Sequence, residues 1–140
     1  MTRLLQRPLV PIATTEDAEK TRQALVPYLA EIDSLVSLHV IEKAGGAPDV
    51  ASVEQREELA AEAQEVMAQL PDDIDVETRT TYGTDPVESI LEEATDAEAT
   101  AIAFRPRPGG RIVQFLSGDI ALKLVTNDRH PVVALPNPEE

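Results

Sequence analysis

The densest chemistry in this chain lies in seven consecutive residues, Arg105-Pro106-Arg107-Pro108-Gly109-Gly110-Arg111. They sit between an apolar, strand-like run, Ala99–Phe104, and a helix opening near Gly118. α/β proteins bind phosphates in glycine-containing loops of this kind, because free backbone N–H groups and a helix N-terminus converge there. Three of the nine arginines fall within the seven residues. Two readings of Arg105, Arg107 and Arg111 stand side by side. Either they form an anion site with guanidinium donors, or they pair with Asp119 and nearby acids and relieve local repulsion. In so acidic a chain the pairing is the simpler reading.

Other chemistries are excluded or unsupported. The chain has no cysteine, which rules out disulfides, thiol catalysis and thiolate metal sites. His39 and His130 lie far apart and form no ligand pattern, so metal catalysis by histidine is not expected. No Ser–His–Asp set and no paired carboxylates at a strand end suggest an enzyme. Net charge is −14, from 26 acidic and 12 basic residues, so the basic footprint needed for nucleic acid is missing. Only three of the basic residues are lysines and aromatics make up 3%, a composition expected of a protein from a high-salt cytoplasm. No apolar run approaches the ~20 residues of a membrane span, and no signal-like segment opens the chain. The expectation is a soluble, cytoplasmic protein of one domain over residues 1–140.

Short apolar runs alternate with helical patterns. Leu9–Ala13 reads as a strand, and Thr14 or Thr15 caps the helix after it. Those threonines are also candidates for ligand contact, although capping suffices to explain them. Pro27 should kink or stop that helix. Ser34–Ile41, apolar from Leu35 except at Ser37 and His39, reads as an interior strand. A flexible loop follows over Lys43–Ala51, then a capping box at Ser52 and Gln55 opens a second helix whose apolar face holds Leu59, Ala63, Val66, Met67 and Leu70. Ile74, Val76, Thr78, Thr80 and Tyr82 alternate with polar residues, as in a half-exposed edge strand. Asp85-Pro86-Val87-Glu88 starts a third helix with an N-cap, an N1 proline and a third-position acid. Ala99–Phe104 and Pro131–Leu135 are the remaining strands. Tyr82 and Phe104 are expected to pack rather than stack on a ligand. The order β-α-β-α-β-α-β-α-β makes a flavodoxin- or Rossmann-like α/β fold of three α/β/α layers around a five-stranded parallel sheet. Ligands on such sheets sit beyond the carboxyl ends of the strands. The candidate loops are therefore Ala13–Thr15 and Arg105–Gly118.

Leu9-Val10-Pro11-Ile12-Ala13-Thr14-Thr15-Glu16-Asp17-Ala18 resembles the opening of universal stress proteins, L-V-P-V-D-G-S-E-x-A. Gly118-Asp119-Ile120-Ala121-Leu122-Lys123-Leu124-Val125, with His130-Pro131-Val132-Val133-Ala134-Leu135-Pro136, resembles their end, G-S-V-A-E-K-V followed by P-V-L-V-V. The resemblance covers essentially the whole chain. It implies strand order 3-2-1-4-5 and a dimer paired through the last strands.

In nucleotide-binding members the fourth strand leads into G-x-x-G-x9-G-[S/T]. With Gly118 aligned, the two earlier glycines fall on Arg105 and Pro108, the Ser/Thr falls on Asp119, and the aspartate that ends the first strand falls on Ala13. Each change works against a nucleotide. Pro108 offers no N–H and cannot take positive φ. Asp119 places negative charge where a phosphate would lie, and Ala13 has no hydrogen-bonding side chain. Gly109 and Gly110 could rebuild a cradle, but one or two residues out of register. The candidate pocket is thus Ala13, Thr14, Thr15, Arg105, Arg107, Gly109, Gly110, Arg111, Gly118 and Asp119, in a regulatory, non-catalytic domain with no cofactor. The alternative is a regulatory domain that binds ATP or AMP through a divergent pocket. The all-apolar strand Pro131, Val132, Val133, Ala134, Leu135 should form the edge opposite Ile74–Tyr82 and pair with its own copy.

Overall fold

The computed structural model describes residues 4–12, 15–42, 58, 61–71, 73–83, 85–105 and 118–135. The capping box at Ser52 and Gln55, the loop Lys43–Ala51 and Leu59 lie outside them. The strands are β1 (Pro8–Ile12), β2 (Ser34–Glu42), β3 (Asp75–Gly83), β4 (Ala101–Phe104) and β5 (Val132–Ala134). The helices are α1 (Thr15–Leu25), α2 (helical residues 61–67), α3 (Pro86–Asp96) and α4 (Gly118–Val125). All paired strands run parallel, in the order β3-β2-β1-β4-β5. The resemblance implied that order, and the alternating and all-apolar runs fall at opposite edges as their patterns require.

Pro27 acts as expected. α1 stops at Leu25, and the chain continues as a 3-10 turn, Val26–Glu31, with the proline in its first residues. α3 begins as its sequence dictates: the Asp85 carboxylate accepts the Glu88 N–H at 3.2 Å, and Pro86 stands in the first turn, where its missing N–H costs nothing. At its other end, Glu98 takes φ 58°, and the N–H groups of Glu98 and Ala99 reach the carbonyls of Thr95 and Ala94. This left-handed cap moves the start of β4 to Ala101, two residues later than the apolar run suggests.

Alternation along each strand divides the core into two layers. Val10, Ile12, Leu35 and Ala103 pack against Ala18 and Leu25 of α1 and Ala63 and Met67 of α2. On the other face Leu9, Val36, Leu38, Ile102 and Phe104 meet Ile90, Leu91 and Ala94 of α3 and Leu124 of α4. Both layers bury large side chains completely, which is the main stabilising term. β3 departs from its simple pattern. Thr78 and Thr80 are exposed, whereas Arg79 on the opposite face is half-buried against α3. Ion pairing on this face complements the packing of Val76 on the other.

Candidate functional site

A parallel sheet brings every strand's carboxyl end to one edge, and α1, α3 and α4 all start there. α1 opens at Thr15, three residues past the end of β1. Thr15 is exposed, and Thr14, the position for a cap, lies outside the described residues, as do Ala13, Arg107, Gly109, Gly110 and Arg111. Gly118 is the first residue of α4, as its sequence suggests, and Asp119 falls in the first turn. Arg105 follows β4 directly and is only 5% exposed. Of the candidate pocket, then, Thr15, Arg105, Gly118 and Asp119 stand at the carboxyl edge, around the point where β1 has β2 on one side and β4 on the other. The readings of Arg107, Gly109, Gly110 and Arg111 fall on residues outside the description.

His39, which the sequence offered only as one of two scattered histidines, stands level with the end of β1. It pairs in register with Ile12, the last residue of β1, and is 8% exposed. Its signal in the sequence was there: with Ser37 it interrupts an apolar strand at alternate positions, so both side chains point to the α1/α2 face. Ser37 finds its partner on α2. Its hydroxyl donates to Gln64 Oε1, while Gln64 Nε2 donates to the carbonyls of Ser37 at 3.1 Å and Arg79 at 2.8 Å. One buried amide thus fixes α2 across β2 and β3.

The amino edge carries a different cluster. Arg7, just before β1, donates from Nε to the Ala97 carbonyl at 2.9 Å, from Nη1 to Ser34 Oγ at 3.0 Å and from Nη2 to Glu77 at 2.8 Å. Arg79 donates to Glu77 at 2.7 Å and to Glu93 and Asp96 of α3, each at 2.9 Å. The Arg79 guanidinium, and then that of Arg7, hold the Glu77 carboxyl below its ordinary value. Bonds from Glu77, Glu93 and Asp96 raise the pKa of Arg79. This network ties β1, β2, β3 and α3 together. Among the described residues, no group of three His, Asp or Glu could hold a metal ion.

A model of the universal stress protein family matches residues 5–136. The chain belongs to that family. It is a stress-response domain of the family's α/β type, as the resemblance of its two ends implied. Solved universal stress proteins share the architecture. UspA from Lactobacillus plantarum is 19% identical, with a TM-score of 0.66 over 96% of this chain and 99% of that one. A universal stress protein from Archaeoglobus fulgidus is also 19% identical, with a TM-score of 0.63 over 92% and 98%. The Archaeoglobus fulgidus protein in complex with dAMP is 18% identical, with a TM-score of 0.60 over 94% and 98%. At such identities the likeness is one of fold. No curated protein matches the chain.

Proposed function

We propose that this universal stress protein is a non-catalytic regulatory domain that has lost the family's mode of ATP binding. The observation that supports this most is Arg105. It stands where the nucleotide-binding pattern has its first glycine, and its side chain is buried beside the sheet. A glycine there leaves room for close approach of a ligand to the backbone; an arginine brings a Cβ and a long side chain instead. Pro108, Asp119 and Ala13 remove a donor, add a repelling charge and delete a hydrogen-bonding side chain. Mass spectrometry of protein purified in high salt tests the reading, with no adenine nucleotide expected to co-purify; stoichiometric ATP would overturn it. A second reading, a divergent AMP- or ATP-responsive domain, is favoured by the dAMP complex of the Archaeoglobus fulgidus relative, and the same spectrum would reveal it.

The protein is further proposed to act as a homodimer through β5. Val132 and Val133 are half-buried and Ala134 is exposed on this edge strand, and Leu122 and Val125 of neighbouring α4 are 60% and 48% exposed. Pairing β5 with its copy would satisfy the edge's free backbone groups and cover apolar surface. Light scattering in molar salt should give a dimer mass, and Val133→Lys should give a monomer; a monomeric unmodified protein would refute the dimer. The acidic composition supports a cytoplasm rich in salt, in which self-repulsion is screened and the melting temperature rises with KCl.

A further inference from the structure

β3 ends the sheet, and its residues Asp75–Gly83 pair with β2 along their whole length. In a parallel ladder one residue turns its N–H and carbonyl to one neighbour, and the next turns its own to the other side. The Asp75 N–H meets the Asp33 carbonyl, just before β2, at 3.4 Å, and the Arg79 carbonyl shares the Gln64 amide with that of Ser37 in β2. Odd-numbered residues therefore face β2, and Val76, Thr78 and Thr80 direct their backbone groups outward. Among the described residues nothing pairs with this outer side. Thr78 and Thr80 are exposed on one face and Glu77 on the other, so the edge is open to approach at all three. Charges on an edge ordinarily keep other strands away. Here opposite charges, Glu77 and Arg79, stand on either side of Thr78 and share the α3 face.

We infer that β3 is a second self-recognition edge, pairing antiparallel with β3 of another copy about a two-fold axis at Thr78. The inference goes beyond the contact proposed for β5 and does not depend on it. Thr78 then faces the partner's Thr78, and Val76 faces the partner's Thr80, with outward N–H and carbonyl groups exchanged as hydrogen bonds. Glu77 faces the partner's Arg79, and Arg79 the partner's Glu77. These are non-hydrogen-bonded positions, whose Cα atoms approach to about 4.5 Å, so opposite charges meet where side chains come closest. Charge also selects the register. An axis at Glu77 would set glutamate against glutamate, and one at Arg79 arginine against arginine. Arg79 keeps its own bonds in the pairing: Nε and Nη1 serve Glu77, Glu93 and Asp96, which leaves the Nη2 donors for a partner's carboxylate. A ladder from Val76 to Thr80 buries far less than a standard interface, so the pairing is weak, with a Kd on the order of 1 mM. Molar salt, which screens the net charge of −14, permits it. β3 and β5 are opposite edges of one sheet, so the two contacts together extend the assembly rather than close it.

The chain has no cysteine, so a single introduced thiol reports the geometry. Thr78→Cys places two thiols across the axis, about 5.5 Å apart at Cα, within disulfide reach. Asp73→Cys is also exposed, but in this register it lies roughly 33 Å from its copy. In molar KCl under a glutathione redox buffer, Thr78→Cys should form linked dimers at least tenfold faster than Asp73→Cys. Equal rates overturn the inference. Sedimentation of the Val133→Lys chain, in which β5 pairing is blocked, should show association at millimolar concentration and none at micromolar. Adding Thr78→Pro removes the central outward N–H and leaves the β2 ladder intact, so that chain should fold, as circular dichroism reads, and stay monomeric at millimolar concentration. Association undiminished by a folded Thr78→Pro chain overturns the inference. So does a Val133→Lys chain that is still monomeric at millimolar concentration, which would leave the edge to a foreign strand or to none. Unmodified protein that is monomeric at micromolar concentration refutes the β5 contact and leaves this one standing.

Discussion

The two ends of the sheet place their basic side chains in opposite ways. At the amino end, Arg7 and Arg79 keep 27% and 24% of their side-chain surface in solvent and share three carboxylates between them. At the carboxyl end, Arg105 and His39 are more than nine-tenths buried. Half-exposed pairs are individually weak, but a network that joins four elements resists the opening of any one of them. The amino end is therefore a fastening, and the carboxyl end is where the family pattern and this chain part company.

That contrast can be broken at the fastening first. Arg79→Ala removes bonds to Glu77, Glu93 and Asp96 at once and leaves three carboxylates facing one another. Urea unfolding should show a loss of about 2 kcal/mol, after discounting for solvent screening. A loss below about 0.5 kcal/mol would make the network ornamental. Glu98→Gly acts at the same end with the opposite sign. Glycine adopts φ 58° without a Cβ penalty, so the variant should gain about 0.5–1 kcal/mol in the same assay.

Acid offers a finer test. Glu77 is held below its ordinary value of 4.5 in the folded protein, so its contribution is present above that pH and fades as the pH falls through the lowered folded value. The carboxylate is 42% exposed, which limits the effect to roughly 0.5 kcal/mol. The stability gap between Glu77→Gln and the unmodified protein should close as the pH drops below 4.5. A gap independent of pH would assign the loss to packing instead of charge.

Much of the frame was legible because it follows from local rules. Asp85, Pro86 and Pro27 act within a turn of themselves, and the apolar runs of β1, β2 and β4 report burial on both faces. The strand order was legible through resemblance, not through any single residue. What stayed hidden depends on partners remote in sequence. Arg7 and Glu77 are 70 residues apart and meet only because β1, β2 and β3 lie in register. His39 looked isolated because it meets the end of β1 only through the register of β2. The half-exposed pattern of β3 was legible, but not that Arg79, on the face opposite Thr78 and Thr80, would be the side chain tied to α3. Of the candidate pocket, Arg105 was legible as a departure from a pattern, and its burial gives that departure physical weight.

The most direct measurement is a calorimetric titration of ATP into the unmodified protein in molar KCl. With Arg105 buried where the nucleotide-binding pattern has glycine, binding should be weaker than about 1 mM, poorer than about −4 kcal/mol. A saturating isotherm with micromolar affinity would contradict the account.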